Sequence, residues 1–168
     1  MLFNSLEFLI FLPIVLAVYY VLSQRAQNVW LLIASYVFYG SWDWRFLGLI
    51  LISTIVDYAV GVQLGKRSDP RARKWLLLAS MATNLGILGI FKYYGFFVGS
   101  FAALLEAVGL QANISTLQIV LPVGISFYTF QTMSYTIEVY RKKIEPTRDP
   151  LTFALYVAFF PQLVAGPI

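Results

Sequence analysis

A few polar side chains interrupt stretches that are otherwise apolar, and these are the groups with chemistry to offer. Asp57 comes eleven residues after Phe46, so at 1.5 Å per residue it lies about 16 Å into a helical span. A carboxylate at that depth is costly without a partner, and two uses fit it: a proton relay or substrate contact, or a structural hydrogen bond or ion pair to a neighbouring helix, with a tyrosine hydroxyl as one partner. The structural use carries more weight. Asn84 falls in the middle of another apolar stretch, where an amide joins helices by hydrogen bonding. Further along, Gln131, Ser134 and Glu138 recur at i, i+3 and i+7, flanked by Tyr128, Thr132 and Tyr135. On a helix these align on one face, while Val123, Phe130, Met133 and Ile137 form a narrow apolar stripe on another. The spacing predicts a helix with its apolar stripe on lipid and its polar arc on a pocket or tunnel, or else plain packing glue between helices. Pro122 and Gly124 near its start leave backbone groups that protein or cavity water must satisfy.

Other chemistries are excluded for these residues. There is no cysteine and no histidine, which removes thiolate nucleophiles, disulfides, most zinc sites and the commonest general base. No Gly-rich phosphate loop, no Gly-x-Ser-x-Gly and no Asp-rich metal cluster occurs, so no metal site is predicted and no catalytic residue is assigned.

The elements that position the polar groups are membrane spans. Sixty per cent of residues are apolar, 17% aromatic and only 12% charged, with mean hydropathy +0.75, and soluble domains rarely look like this. Crossing a bilayer core of roughly 30 Å takes about 20 mostly apolar residues. Segments 6–22, 27–39, 46–64, 75–97, 117–140 and 151 onward fit that requirement to varying degrees, giving an all-α, polytopic integral membrane protein with about six helical segments. Asn4 is predicted to cap the first and Glu7 to reach back to it. A retained helix fits better than a signal peptide, because a basic n-region and a small-x-small cleavage site are missing. Residues 40–45 form a turn carrying Trp42 and Trp44 for the interface, 65–74 a basic loop, 97–108 a short surface helix and 109–116 a polar loop. That loop holds an Asn113-Ile114-Ser115 sequon of little weight. Residues 141–150 form a second basic loop. The apolar run from Leu151 reaches Ile168 without a polar tail, which reads as the front part of a longer protein.

Charge sets the orientation. Ten of the twelve basic residues (Arg25, Lys66, Arg67, Arg71, Arg73, Lys74, Arg141, Lys142, Lys143 and Arg148) fall in the first, third and fifth loops, against Arg45 and Lys92 on the other side. The positive-inside rule then puts those loops in the cytoplasm and the N-terminus outside. The net charge of +4 is thus a topology signal. No nucleic-acid partner is predicted, since that needs a basic face on a soluble module.

Two long motifs point further. Residues 121–135 (LPVGISFYTFQTMSY) followed by 159–168 (FFPQLVAGPI), together with the opening MLFNS and SYVFYGSW at 35–42, resemble the membrane-bound O-acyltransferase superfamily, and within it the bacterial alginate O-acetyltransferase branch. The resemblance covers essentially the whole chain. It implies that residues 1–168 form the N-terminal part of such a domain, in a protein of ten or more helices placed in a prokaryotic inner membrane. It further implies transfer of an acyl group, usually acetyl, from a cytoplasmic donor (acetyl-CoA or another acyl carrier) to a hydroxyl of an exported polysaccharide. A histidine downstream of the Pro-Gln-Leu-Val-Ala-Gly-Pro-Ile motif would act as general base or acyl relay. Accessory envelope proteins are implied as partners, beside the lipid bilayer and the polysaccharide. On this reading Gln131, Ser134 and Glu138 line the reaction chamber, Gln162 is a polar contact in the closing motif, and Asp57 and Asn84 are intramembrane polar groups. Transfer of D-alanine towards teichoic acid, by relatives in the same superfamily, is one alternative. A transporter or flippase-like protein, with Asp57 and the polar fifth helix as its substrate path, is another. A short assembly protein that ends at Ile168 is a third.

Overall fold

In a computed structural model all the regular secondary structure among the residues described, which are 5–41, 43–108 and 124–164, is helical. Helices α1 (Leu6–Val21) and α2 (Gln24–Gly40) form a hairpin, followed by α3 (Arg45–Lys66) and α4 (Pro70–Leu88). A π-helical turn, Gly89–Tyr93, joins α4 to α5 (Tyr94–Ala107). Helices α6 (Ile125–Tyr140), α7 (Pro150–Ala158) and α8 (Phe160–Val164) complete the order. α3 and the continuous stretch from Pro70 to Tyr93 are long and apolar enough to cross a membrane.

Local chemistry explains where these helices begin. Ser5, not Asn4, caps α1: its hydroxyl accepts from the Phe8 amide at 3.2 Å, an amide that it shares with the Ser5 carbonyl at 3.1 Å. Asn4 itself lies outside the described residues. α4 starts five residues before the expected Trp75, because Asp69 caps it through the amides of Arg71 and Ala72 and Pro70 takes the first helical position, where its missing N–H costs nothing. Arg71, Arg73 and Lys74 therefore stand on a helix instead of in a loop. Asp149 and Pro150 repeat the device at α7. α2 and α3 extend slightly beyond 27–39 and 46–64, and the short helix expected at 97–108 is α5.

The segment expected to run unbroken from Leu151 is interrupted at Phe159. In a continuous helix Pro161 would lack the N–H for the Val157 carbonyl and its ring would clash there. The chain stops at Ala158 and restarts with Pro161 in the first turn of α8. The buried Ser35 hydroxyl accepts from the Phe160 amide at 3.2 Å, satisfying one opening donor of α8. Phe160 also packs its ring on Phe38 and Phe11, with centroids 5.3 and 5.5 Å away, and so ties α8 to α1 and α2.

The main core lies where α2, α3, α4, α6 and α7 meet, around Tyr39, Ile50, Leu64, Leu88, Tyr128, Phe153 and Val157. α6 is central, packed against both α3 and α4. Gly61 lets α6 come close: a Cβ there would lie 2.8 Å from the Tyr135 hydroxyl. The expected loop at 109–116 with its sequon, the start of the fifth span at 117–123 with Pro122 and Val123, Trp42, and residues 165–168 of the closing motif lie outside the described residues.

Candidate functional site

The polar groups singled out in the sequence separate into two places. The first is a buried cluster between α3, α4 and α6. Asp57 on α3 is fully buried and accepts hydrogen bonds from Ser80 Oγ, from Asn84 Nδ2 at 2.7 Å and from Thr136 Oγ1 at 3.4 Å. Asn84 Nδ2 also donates to the Ser80 carbonyl at 3.1 Å, and its Oδ1 accepts from Thr132 Oγ1 at 3.4 Å. Both amide protons and the amide oxygen are thereby used, as a buried amide requires. The partners of Asp57 are hydroxyls and an amide, not the tyrosine considered from sequence.

Ser80 and Thr136 were not singled out by sequence reasoning, and Thr132 was named only as flanking the polar arc, although a signal existed. Ser80 with Asn84, and Thr132 with Thr136, are i, i+4 pairs of polar residues in apolar surroundings, and each pair therefore shares one helix face. The buried face of α6 is this threonine and tyrosine face: Tyr128, Thr129, Thr132, Tyr135 and Thr136 are all covered. Met133, expected on the lipid stripe, is buried as well, because the face packed on α3 and α4 is wide enough to include it. Phe130 of that stripe is 56% exposed.

The second place is the opposite side of α6. A hollow of about 520 Å³ is lined by Ser126, Phe127, Phe130, Gln131, Ser134 and Tyr156. Gln131 Nε2 donates to the Tyr156 carbonyl at 2.8 Å, which joins α6 to α7, while its buried Oε1 has no hydrogen-bond partner. A buried amide oxygen without a donor is costly. Gln131 and Ser134 thus share a wall. Glu138 lies further along α6, exposed and outside this lining, and Gln162 is exposed on α8.

A third feature, the treatment of Arg73, was hidden in the loop charge. The residue is 7% exposed, and its guanidinium donates to the carbonyls of Leu64, Arg67 (3.1 Å), Val139 (3.2 Å) and Tyr140 (2.8 Å), while lying 5.7 Å from the Tyr140 ring centroid. One cation therefore satisfies the last carbonyls of both α3 and α6, where the helix dipoles favour positive charge. Beside it α6 ends in a Schellman motif, with Lys143 N donating to the Glu138 carbonyl, Lys142 N to that of Val139, and Lys142 in the left-handed region at φ 59°.

The basic residues gather at this same end. Lys66, Arg67, Arg73, Lys142, Lys143 and Arg148 line adjoining hollows, and Arg25 lines a third hollow with Arg148. Lys92 lies elsewhere, donating to Ser126 at 3.3 Å. Asp149 at this end is exposed; the Thr152 hydroxyl, 2.6 Å away, and the amides of Leu151 and Thr152 hold its carboxyl below the usual aspartate range. Among the described residues no group of three or more acidic, histidine or cysteine side chains is placed to hold a metal ion.

Comparison with known proteins decides the kinship. The sequence is 45% identical to the probable alginate O-acetylase AlgI of Pseudomonas putida over 172 aligned residues, and 43% identical to that of Pseudomonas aeruginosa over 171, in both cases along the whole of this chain. The chain is a relative of the alginate O-acetylases. It is also 32% identical, again along its whole length, to the peptidoglycan O-acetyltransferase of Helicobacter pylori. It spans about a third of the length of these relatives: 35%, 32% and 37% respectively. No family profile matches the sequence, and no solved structure matches it.

Proposed function

We propose that this chain is the N-terminal part of a polytopic membrane O-acyltransferase whose whole form transfers an acetyl group to hydroxyls of an exported polysaccharide. The observation that carries this reading is the similarity, along the entire chain, to proteins named for O-acetylation of two polymers, alginate and peptidoglycan. Both polymers are polysaccharides with free hydroxyls, so the common reaction is ester formation on a sugar. A histidine base for this reaction would come from outside these residues, which contain no histidine. The acetyl donor is acetyl-CoA or another acyl carrier on the cytoplasmic side, and accessory envelope proteins assist transfer.

The location is the inner membrane, with the basic end of the bundle in the cytoplasm and the N-terminus outside. Two apolar helices of spanning length and the gathering of Lys and Arg at one end support it. With a cysteine-free version of the full-length protein as background, single cysteines at Ser5 and Lys143 can be labelled individually; these 168 residues contribute none of their own. An impermeant maleimide added to intact spheroplasts should label the first and spare the second; the opposite pattern would invert the topology.

Within the enzyme, the hollow bearing Gln131 and Ser134 forms part of the wall of the reaction chamber, with Glu138 and Gln162 nearer its edges, while the Asp57–Asn84 cluster holds that wall's helix in place. Membranes carrying the whole protein should move labelled acetyl groups onto polysaccharide. Equal transfer by membranes lacking it would refute the assignment.

A further inference from the structure

The largest of the hollows described has no role in the chamber. It encloses about 660 Å³ between the last turn of α3 and the loop that leads into α7, and it presents Tyr58, Lys66, Glu145 and Arg148. Its walls are fixed. Tyr58 donates its hydroxyl proton to the Arg148 carbonyl at 2.7 Å, and the Thr147 amide donates to Tyr135 Oη at 3.0 Å. A side chain at Gly65 would run into the Pro146 ring, so glycine lets the loop lie against α3. The Tyr58 contact uses the backbone of Arg148, which leaves its guanidinium to serve the hollow.

The charge here is one-sided. The adjoining hollow of about 310 Å³ adds Arg67, Lys142 and Lys143, and the one beyond Arg148 adds Arg25. Three acids lie nearby: Glu145 lines the hollow itself, Asp149 lines the one beyond Arg148 beside Arg25, and Asp69 caps α4 next to Ser68. The cations Arg25, Lys66, Arg67, Lys142, Lys143 and Arg148 outnumber them two to one. α3 is long and apolar enough to cross a membrane, and on the membrane arrangement proposed above the hollow opens near its end, where hydrocarbon gives way to headgroups. Basic pockets at such a boundary attract anionic headgroups, and a guanidinium pairs with phosphate oxygens bidentately.

We propose that this hollow is a binding site for a phosphate group, held by Arg148 and Lys66 with the Tyr58 ring as one wall. The phosphate belongs to an anionic lipid headgroup or to a soluble phosphorylated molecule from the same side. Binding, and not activity, reads the site out.

The full-length protein in dodecyl maltoside is titrated with dioctanoyl phosphatidylglycerol, dioctanoyl phosphatidylcholine and inorganic pyrophosphate. Lys66→Gln/Arg148→Gln is compared with Arg141→Gln, which removes charge at the same end outside these hollows. Lys66 and Arg148 are exposed, so the double variant keeps its fold. The double variant should bind phosphatidylglycerol or pyrophosphate about tenfold more weakly, with Arg141→Gln unchanged. Response to phosphatidylglycerol alone identifies a lipid headgroup, and a matching response to pyrophosphate identifies a soluble phosphate. Absence of binding by the unaltered protein, equal losses in the double variant and Arg141→Gln, or no loss in the double variant would each overturn the proposal.

Discussion

The Asp57 carboxylate accepts a hydrogen bond from Asn84 Nδ2 at 2.7 Å across the α3–α4 interface, and Thr132 and Thr136 bring α6 onto the same two groups. Three helices thus share one buried polar cluster. Such a cluster is favourable only while every member is paired, because each orphaned donor in a dry interior costs about 1–3 kcal/mol.

Replacing Asp57 with Ala strands the Ser80 hydroxyl and one Asn84 amide proton, while Thr136 keeps its bond to the Thr132 carbonyl. The full-length protein should lose about 2–4 kcal/mol of stability, seen as a lower unfolding midpoint in detergent. Asn84→Ala should show a similar loss, and the double variant much less than the sum, because both changes break one network. Additive losses would mean that the two residues act independently.

Arg73 makes a different prediction. Its fork spans the carboxyl ends of α3 and α6, and a lysine ammonium is a point donor that cannot serve both. Arg73→Met should cost about 3 kcal/mol and Arg73→Lys should restore less than half, by the same unfolding measurement. Full recovery with lysine would show that charge alone matters.

How much of this was legible beforehand depends on whether the signal was local. Asp57 and Asn84 stood out because each is polar within an apolar stretch. Ser80, Thr132 and Thr136 did not, since a hydroxyl in a helix can bond its own backbone, as Thr136 also does to the Thr132 carbonyl at 3.1 Å; only knowing which helices touch reveals their shared target. Arg73 was counted as a loop charge because the Asp69–Pro70 start signal was passed over. Pro161 likewise marked the break after Ala158 in an apolar run that otherwise reads as one helix. The gathering of basic residues at one end was legible from loop counting alone, because helix order alternates ends. The hollows at that end were not, since they depend on how residues 145–148 fold back onto α3.

Gln131 tests the chamber wall. Gln131→Leu removes the unpaired Oε1 and the bond to the Tyr156 carbonyl while keeping volume similar. Acetyl transfer by the full-length variant should fall about tenfold or more, equivalent to losing one hydrogen bond to a reacting group, with membrane insertion intact. Transfer at the unaltered rate would remove Gln131 from the chamber.

Asp149 gives a pH signature. Its carboxyl is held below the ordinary aspartate value by the Thr152 hydroxyl and two amides, so the stabilisation is present above the unfolded value near about 3.9 and fades as pH falls through the lower folded value. Asp149→Asn should flatten that acid limb in pH-dependent unfolding of the full-length protein. An unchanged acid limb would assign it to other carboxylates.

The central claim is acetyl transfer to an exported polysaccharide by the whole protein, and the most direct measurement is the O-acetyl content of that polysaccharide by proton NMR, with and without the gene. Deletion should abolish the acetyl methyl resonances and reintroduction of the full-length gene should restore them. Resonances that persist at full intensity after deletion would contradict the account.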